Sequence, residues 1–307
     1  MKRTCRWLYC GALFRQARVS SSSSSSSSSS APSSSSPSIL GDPLASLVPP
    51  GECQFTEEWG ASSLLRKTSV SHDTRVFTFG LRDKGWPLGL STCACILAKG
   101  GVGGATIRPY TPISTNAKKG EFDMMVKVYK NGEFSEWLDG IEIGHPVEFK
   151  HIPFNVKIQH PFGCKKLGIL CGGTGITPMV QALHAVLGTE EDSTAVSVLY
   201  GSRGADDILL KDDLDRWEDQ SKGQLKITHI LSDAAEEDKN KDSPFERGFI
   251  DRARLLKYMP GPEEDCLIFV CGPPAMYEVL CGPRGEDLKE GSLLAALGYK
   301  NEQIIKF

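Results

Sequence analysis

The sequence lacks the closely spaced sets of cysteine and histidine that hold metal ions. Its ten cysteines are scattered over 307 residues, and the one C-x-C pair, Cys93 and Cys95, has no second pair or histidine cluster nearby. Structural zinc sites and iron–sulfur clusters need further thiolate or imidazole ligands at short spacing. We therefore predict no metal site, and we expect most of the cysteines to be reduced, buried thiols.

Acidic residues are missing from the start of the chain. The first 41 residues contain no Asp or Glu but five Lys and Arg, and residues 20–30 are an unbroken run of serine. A basic, Ser-rich and acid-free composition is typical of an organelle-targeting presequence. We predict that residues 1–50 are a disordered targeting segment and that the protein is mitochondrial.

Two other interpretations of residues 1–50 stay open. Polar tracts bury too little surface to offset their ordering entropy, so the segment could be a plain low-complexity tail of a cytosolic protein. The apolar residues at 7–14 could instead associate peripherally with a membrane that faces the cytosol. A spanning helix is disfavoured, because it needs about 20 apolar residues.

An excess of basic charge is also missing from the rest of the chain. Since five of the 35 basic residues and one of the 38 acidic residues lie within residues 1–50, the remainder carries 30 basic and 37 acidic residues. Nucleic-acid phosphates attract basic proteins rather than acidic ones. We expect no nucleic-acid partner.

Two parts with different periodicities make up residues 51–307. Short runs of β-branched, aromatic and apolar residues, separated by turn residues, predict strands at 63–71, 75–81, 93–98, 106–110, 122–129 and 146–151. Six strands at this spacing predict a small antiparallel β-barrel. We assign this domain to residues 51–158.

From residue 165 onwards, strand and helix patterns alternate. Apolar runs predict strands at 166–171, 195–200, 224–231 and 266–271, and helical spacing predicts helices at 178–187, 210–220, 251–258 and 274–280. This alternation predicts a doubly wound α/β domain with a parallel sheet over residues 159–307. The charged stretch at 234–243 is expected to be a solvated loop.

The second domain opens with a glycine-rich motif, G-G-x-G-x-x-P, at residues 172–178. Glycines let the backbone approach a ligand closely, Thr177 suits an N-cap, and Pro178 suits the first helical turn. The free N–H groups at a helix N-terminus form a good pyrophosphate site. Because the motif differs from G-x-G-x-x-G, a purely structural corner is also compatible with it.

Two further segments carry groups that could face a ligand. Residues 108–114 read R-P-Y-T-P-I-S, in which Arg108 could pair with a phosphate and Tyr110 could pack on a planar cofactor. Residues 270–276 read V-C-G-P-P-A-M and place Cys271 at a strand end, where a doubly wound sheet binds its ligand. Either segment taken alone is more often structural.

Together, the three motifs resemble the ferredoxin–NADP reductase superfamily, and most of all its cytochrome b5 reductase branch. The likeness rests on R-x-Y-T-x-x-S, G-G-T-G-I-T-P-M and C-G-P-P-x-M in this order, and it extends over residues 57–307. It implies an FAD-binding barrel followed by an NAD(P)H-binding α/β domain. It also implies a reductase that passes electrons from NADH through FAD to a one-electron acceptor, cytochrome b5 or a similar haem protein.

The resemblance also implies roles for individual residues. Arg108 would pair with the FAD pyrophosphate, and Tyr110 would lie against the flavin. Thr111, near the flavin nitrogen that accepts hydride, and Cys271, near the nicotinamide, would be the positioning groups of the catalytic step. Other expected FAD contacts are Pro109, Met125, Lys127, Tyr129, Gly132, Phe134 and Ser135. Thr177 and Pro178 would bridge towards the flavin, and the other expected contacts on the dinucleotide side are Gly173, Thr174, Gly175, Tyr200, Asp207, Gly272, Pro273 and Met276.

Several choices remain open within this resemblance. Asp207 would favour the ribose hydroxyl of NADH, whereas Arg203 could attract the 2′-phosphate of NADPH; we favour NADH. The acceptor could be a ferredoxin or an oxygenase, and a non-catalytic cofactor-binding scaffold is a third possibility. Glu133 stands where the family usually has a basic residue, and an acid there is unfavourable unless it points away from the pyrophosphate.

Overall fold

The computed structural model describes residues 38–45, 53–152, 158–233 and 244–307. Most of the predicted targeting segment and the predicted charged loop at 234–243 therefore lie outside the described residues. Within the described ranges, none of the helices combines the length and the apolar character needed to cross a membrane.

The first domain is a six-stranded antiparallel sheet, as predicted. Its pairing order is β4-β3-β6-β1-β2-β5, and every neighbouring pair is antiparallel. Among the described residues the outer strands β4 and β5 do not pair with each other, so the sheet is a half-barrel rather than a closed barrel. The strands are β1 (Gly60–Ser69), β2 (Thr74–Gly80), β3 (Ile96–Gly100), β4 (Thr106–Tyr110), β5 (Glu121–Lys127) and β6 (Pro146–His151).

An aromatic core fills the concave side of this sheet. Successive side chains of a strand point to opposite faces, so Phe77 and Phe79 on β2, two residues apart, both turn inwards. The rings of Phe79 and Phe149 pack edge to face at 4.9 Å between centroids. A short helix, α1 (Glu133–Gly140), covers the cluster with its buried residues Phe134 and Leu138.

The second domain is a doubly wound parallel sheet, as predicted. Its order is β10-β9-β8-β7-β11-β12, and all of its pairs are parallel. The strands are β7 (Lys166–Gly172), β8 (Ala195–Ser202), β9 (Leu225–Leu231), β10 (Glu246–Arg247), β11 (Cys266–Cys271) and β12 (Ile304–Lys306). The helices are α2 (Ile176–Leu187), α3 (Lys211–Gln220), α4 (Arg252–Tyr258), α5 (Pro274–Leu280) and α6 (Leu293–Ala296).

The helices cover both faces of this sheet. Helices α2 and α3 bury their apolar residues in one cluster, and α4, α5 and α6 bury theirs in another. The strand order reverses at β7, because β8 to β10 lie on one side of it and β11 and β12 on the other. A doubly wound sheet binds ligands at such a reversal, beyond the carboxyl ends of the strands.

The two domains share an apolar interface along α2. Ile113 of the first domain belongs to the same buried cluster as Met179 of α2. Two residues further along α2, the Gln181 side-chain amide donates to the carbonyl oxygens of Pro112 at 2.7 Å and Ser114 at 2.8 Å. Helix α2 is therefore the element that joins the dinucleotide domain to the β4–β5 connection.

Residues 38–45 correct the predicted domain boundary. They were expected to belong to a disordered segment that ends at residue 50, but they pack on α2 and α3. Ser38 and Leu44 are hydrogen-bonded to Asp213 and His184. The prediction is wrong for this stretch because its order depends on partners in the second domain, which local composition does not reveal.

His184 of α2 makes folding stability depend on pH. The residue is 2% exposed, and its Nδ1 accepts the Leu44 N–H at 3.2 Å, so the ring is neutral. Burial lowers its pKa from 6.5 to about 4. Because an unfolded chain takes up this proton below pH 6.5 and the folded chain resists it, stability is full above pH 6.5 and falls as the pH approaches 4.

We predict that the free energy of unfolding falls by about 2 kcal/mol between pH 7 and pH 5 because of His184 alone. A His184→Asn variant keeps an acceptor near the position of Nδ1 but does not titrate. Denaturant unfolding of both proteins at the two pH values measures the effect as the difference between their pH dependences. Identical pH dependences in the two proteins would contradict the prediction.

Candidate active site at the domain junction

A cleft of about 1300 Å³ lies between the two domains, at the carboxyl ends of β7 and β11. Pockets for a single small ligand are typically about 300–1,000 Å³. The volume is thus sufficient for more than one cofactor. Both domains contribute to the walls, as a hydride-transfer site between two bound cofactors requires.

The first domain lines the cleft from the end of β4 and from β5. Pro109, Tyr110 and Thr111 come from the end of β4, and Met125, Lys127 and Tyr129 come from β5 and its continuation. Burial raises the pKa of the Tyr110 phenol, so this group is neutral. The cleft thus presents an aromatic ring, a hydroxyl and an ammonium group from one wall, as predicted.

The second domain lines the cleft with its glycine turn and with the end of β11. Gly173, Thr174, Gly175, Thr177 and Pro178 face the cleft, and Cys271, Gly272, Pro273 and Met276 lie beside them. Cys171 and Cys271 are aligned on the adjacent strands β7 and β11, which brings the two distant motifs together. The predicted convergence of the residues that follow Arg108 with glycines 172–175 is confirmed.

The start of α2 differs from the predicted cap. Residues Gly173–Gly175 form a turn of 3₁₀ helix, and α2 then begins at Ile176 with Gly175 as its N-cap. Thr177 is therefore already inside the first turn, where its hydroxyl donates to the Thr174 carbonyl at 3.1 Å. The capping role expected of Thr177 is wrong because the preceding turn extends the helix towards β7.

Tyr200 does not line the cleft, although a direct contact with the cofactor was expected. It is 0% exposed; its hydroxyl donates to the Gly173 carbonyl at 3.1 Å and accepts the Leu209 N–H at 3.3 Å. Burial raises its pKa. The expectation is corrected: Tyr200 supports the glycine turn from within the core.

Four residues expected to contact FAD also lie outside the lining of the cleft. Phe134 is buried with its ring packed against Tyr110, and the Ser135 hydroxyl accepts the Tyr129 N–H and donates to the Gly132 carbonyl. These three residues hold the turn before α1 rather than forming the wall. Arg108 is exposed on β4 and donates to the Ile107 carbonyl. Its side chain lies on the same face of the strand as that of Tyr110. Its phosphate-binding role stays a prediction.

Glu133, the departure from the family pattern, points away from the cleft. It is exposed at the start of α1, and its carboxylate lies beside Gly101 in the turn between β3 and β4. It is not among the residues that line the cleft. An acid so placed is compatible with a phosphate site nearby, and it favours the helix because the N-terminal end of a helix attracts negative charge.

A cluster of charges bridges the two domains at the edge of the cleft. Lys127 lies 2.8 Å from Asp73 and 3.4 Å from Asp207, and Arg203 lies 3.3 Å from Asp73 and 3.0 Å from Asp207. Burial raises the pKa of Asp207, but hydrogen bonds from Arg203 and Gly204 outweigh it, so the net pKa is lowered. Burial likewise raises the pKa of Asp73, but the hydrogen bond from Lys127 and its positive charge outweigh burial, so the net pKa is lowered. Both carboxylates are therefore ionised.

Sequence reasoning missed several residues that line the cleft, among them Asp73, Phe249 and Arg284. Asp73 lies in the turn between β1 and β2, Phe249 is an exposed aromatic side chain after β10, and Arg284 lies beyond α5 over the Tyr277 ring. The Gly248-Phe249 pair, an aromatic residue beside a glycine shortly after the charged stretch, was a usable signal for Phe249. Asp73 and Arg284 stand in ordinary turn sequences that carry no such signal.

Comparison with known proteins supports this two-cofactor cleft. A family described as the oxidoreductase FAD-binding domain matches residues 61–153, and one described as the oxidoreductase NAD-binding domain matches residues 169–282. NADH-cytochrome b5 reductase 2 of Kluyveromyces lactis is 36% identical over 255 residues, which is 81% of this chain and 84% of that protein. The chain belongs to the NADH-cytochrome b5 reductase family.

Other members of this reductase family agree with the assignment. The NADH-cytochrome b5 reductase-like protein of Arabidopsis thaliana is 37% identical, over 82% of this chain and 77% of that protein. The cytochrome b5 reductase domain of Ulva prolifera nitrate reductase superposes with a TM-score of 0.70 at 28% identity, and covers 86% of this chain and 100% of that domain. The predicted FAD-binding and NAD-binding domains are confirmed, and the protein is a flavoprotein reductase.

The residues present fit both cofactors of the reductase family. The helix N-terminus of α2 and the glycine turn before it offer backbone N–H groups to a pyrophosphate. Across the cleft, Tyr110 offers a ring for a planar cofactor, and Lys127 offers positive charge. The roles of individual residues towards FAD and the dinucleotide remain predictions.

We predict that Gly175→Ala costs about 3 kcal/mol of folding stability, because a Cβ there would lie 2.1 Å from the Cys271 carbonyl oxygen, a backbone atom that no rotamer change relieves. Gly173→Ala is the matched control. Its φ is +53°, and nothing lies within 4 Å of its Cβ, so left-handed strain of about 1 kcal/mol is its expected cost. Denaturant unfolding without added dinucleotide measures the loss of unfolding free energy in each variant. Equal losses would rule out the close approach of Gly175 to the Cys271 carbonyl.

Proposed function

We propose that this reductase accepts hydride from NADH and passes the electrons singly to cytochrome b5 or to a similar haem protein. One observation carries the proposal: the cleft brings Tyr110 and Thr111 of the FAD-binding domain to the same space as Gly173–Gly175 and Cys271 of the NAD-binding domain. The names of the relatives support NADH as the donor and cytochrome b5 as the acceptor.

The chemistry requires positioning rather than acid–base catalysis. FAD, when bound, supplies the conversion of a two-electron hydride into single electrons. The protein must hold donor and acceptor atoms about 3–3.5 Å apart and in line. Thr111 and Cys271, both half-buried on opposite walls of the cleft, are the side chains that we propose for this positioning. Helix α2 fixes the two walls relative to each other through Gln181.

The charge cluster supports NADH over NADPH. Asp207 is ionised and would repel a 2′-phosphate on the adenosine ribose. Arg203, the residue that could attract this phosphate, already lies within salt-bridge distance of both Asp73 and Asp207. A phosphate would have to compete with two carboxylates for this guanidinium group.

We predict that the purified full chain is yellow and that NADH bleaches its flavin spectrum in the absence of oxygen. Oxidised cytochrome b5, added next, should restore the spectrum as the haem is reduced. NADPH should bleach at least tenfold more slowly, because Asp207 disfavours its extra phosphate, and Asp207→Asn should narrow this difference. Stopped-flow absorbance measures all of these steps.

Each step of this experiment tests one part of the proposal. A colourless protein, or a flavin that NADH leaves oxidised, would defeat the reductase function. Bleaching by NADH without transfer to cytochrome b5, but with transfer to a ferredoxin or an oxygenase component, would keep the reductase and replace the acceptor.

We also propose a mitochondrial location. The support is the basic, acid-free and Ser-rich composition of the first 41 residues. Residues 1–50 fused to a fluorescent protein are expected to accumulate in mitochondria, and replacement of the five basic residues by glutamine should abolish this. A diffuse cytosolic signal would contradict the proposal, and a signal on the outer face of membranes would favour peripheral association instead.

A further inference from the structure

A buried carboxylate in α3 is hydrogen-bonded to the start of the described chain. Asp213 is 3% exposed, and it accepts hydrogen bonds from the Ser38 hydroxyl at 2.6 Å and from the N–H groups of Ile39 at 3.0 Å and Leu40 at 3.3 Å. It also pairs with Arg216 at 3.0 Å. A carboxylate this buried needs hydrogen-bond donors, and residues 38–40 supply three of them beside Arg216.

A second contact satisfies a buried indole one turn further along α3. The Trp217 side chain is buried, and its Nε1–H donates to the Gly41 carbonyl at 2.9 Å, while Arg216 donates to the same oxygen at 2.5 Å. Buried tryptophan N–H groups need such an acceptor. Gly41 has φ of +69°, a left-handed conformation that glycine adopts without strain, so the contact is specific for glycine.

The segment then crosses the end of α2. The Leu44 N–H donates to Nδ1 of His184, whose ring packs edge to face against Trp217 at 4.6 Å between centroids. Gly188, the residue after α2, lets the segment approach closely, since a Cβ there would lie 2.3 Å from the Leu44 carbonyl carbon. Three buried polar side chains on two helices are thus matched to backbone groups of one peptide.

We propose that the groove between α2 and α3 is a binding site for an extended peptide, and that residues 38–45 are its tethered ligand. The site recognises main-chain N–H groups through Asp213 and His184 and a main-chain carbonyl through Trp217. The Ser38 hydroxyl and the left-handed Gly41 add sequence specificity. The ligand is therefore the chain's own segment S-I-L-G-D-P-L-A.

A boundary for proteolytic processing follows from this site. A cut at residue 50, the end of the low-complexity region, would remove the ligand. Asp213 would keep Arg216 but lose three donors, and Trp217 Nε1–H and His184 Nδ1 would lose their main-chain partners. Removal of a targeting segment is compatible with this groove only if the cut lies before Ser38. This boundary follows from the hydrogen bonds and packing of residues 38–45 and is independent of the electron-transfer function.

Hydrogen–deuterium exchange on the full chain tests the tethered ligand. Three of its amides, those of Ile39, Leu40 and Leu44, are hydrogen-bonded to buried side chains, so the peptide covering 38–45 should exchange at least tenfold more slowly than a free peptide. Asp213→Ala should abolish this protection, whereas Asp212→Ala, a change at the exposed neighbour on the same helix, should leave it intact. Exchange of the wild-type segment at the free-peptide rate would overturn the proposal.

A variant in the segment itself separates release of the ligand from unfolding of the domain. Gly41→Val strains the left-handed position without altering α2 or α3, so peptide 38–45 should lose protection while the strands β7 to β9 keep theirs. Retained protection of 38–45 in this variant would contradict the specific contact. N-terminal sequencing of the protein from its own cells gives an independent result: the first residue should be Ser38 or earlier, and a start beyond residue 45 would exclude the required ligand.

Discussion

The alignment of β7 with β11 is the constraint on which the cleft depends. The two strands pair in register up to Cys171 and Cys271, so the turns that follow them emerge side by side. The glycine turn can then pack against the Cys271 carbonyl, which leaves space for glycine alone at position 175. Were the strands shifted by one residue, the turn and the C-G-P-P segment would face different sides, and a dinucleotide would lose one half of its site.

Helix α2 connects the cleft to the FAD-binding domain and to residues 38–45. Its N-terminus faces the cleft, Gln181 in its middle holds two carbonyl groups of the FAD-binding domain, and His184 with Gly188 near its end contacts residues 38–45. A helix of 12 residues is about 18 Å long, which is enough to span these three contacts. The geometry of the cleft is thus coupled through one rigid element to the N-terminal segment.

Sequence periodicity was sufficient to predict both domains, because strands and helices of ordinary length bury one face or one stripe and therefore show a period. Periodicity did not predict β10, β12 and α6, which have two to four residues, too few to show any period, nor the eight-residue α1, which is only about two turns long. Likewise, the motifs identified which residues meet at the cleft but not their orientation. Tyr200 precedes Gly201, which lines the cleft. Its own side chain points into the core, because successive side chains of β8 point to opposite faces of the sheet.

Contacts between distant parts of the chain explain the remaining errors. Residues 38–45 mix apolar residues with Gly and Pro and show no period, and the partner that orders Ser38 is 175 residues away, so they were grouped with the neighbouring serine-rich region. The predicted and the observed boundaries differ because a serine-rich, presequence-like stretch and an ordered peptide lie next to each other in the chain.

The charge cluster supports the proposal that long-range contacts of this kind set coenzyme preference. Asp207 alone would act as a simple repulsive charge towards a 2′-phosphate, and Arg203 alone would act as an attractive one. In the structure Asp73, from the other domain, lies within reach of both Lys127 and Arg203, so each base faces two acids. An arginine shared between two carboxylates offers less attraction to a further anion than an isolated one, because part of its charge and its donors are already committed. On this proposal, the preference for NADH depends on how the two domains meet, as well as on the residue at position 207.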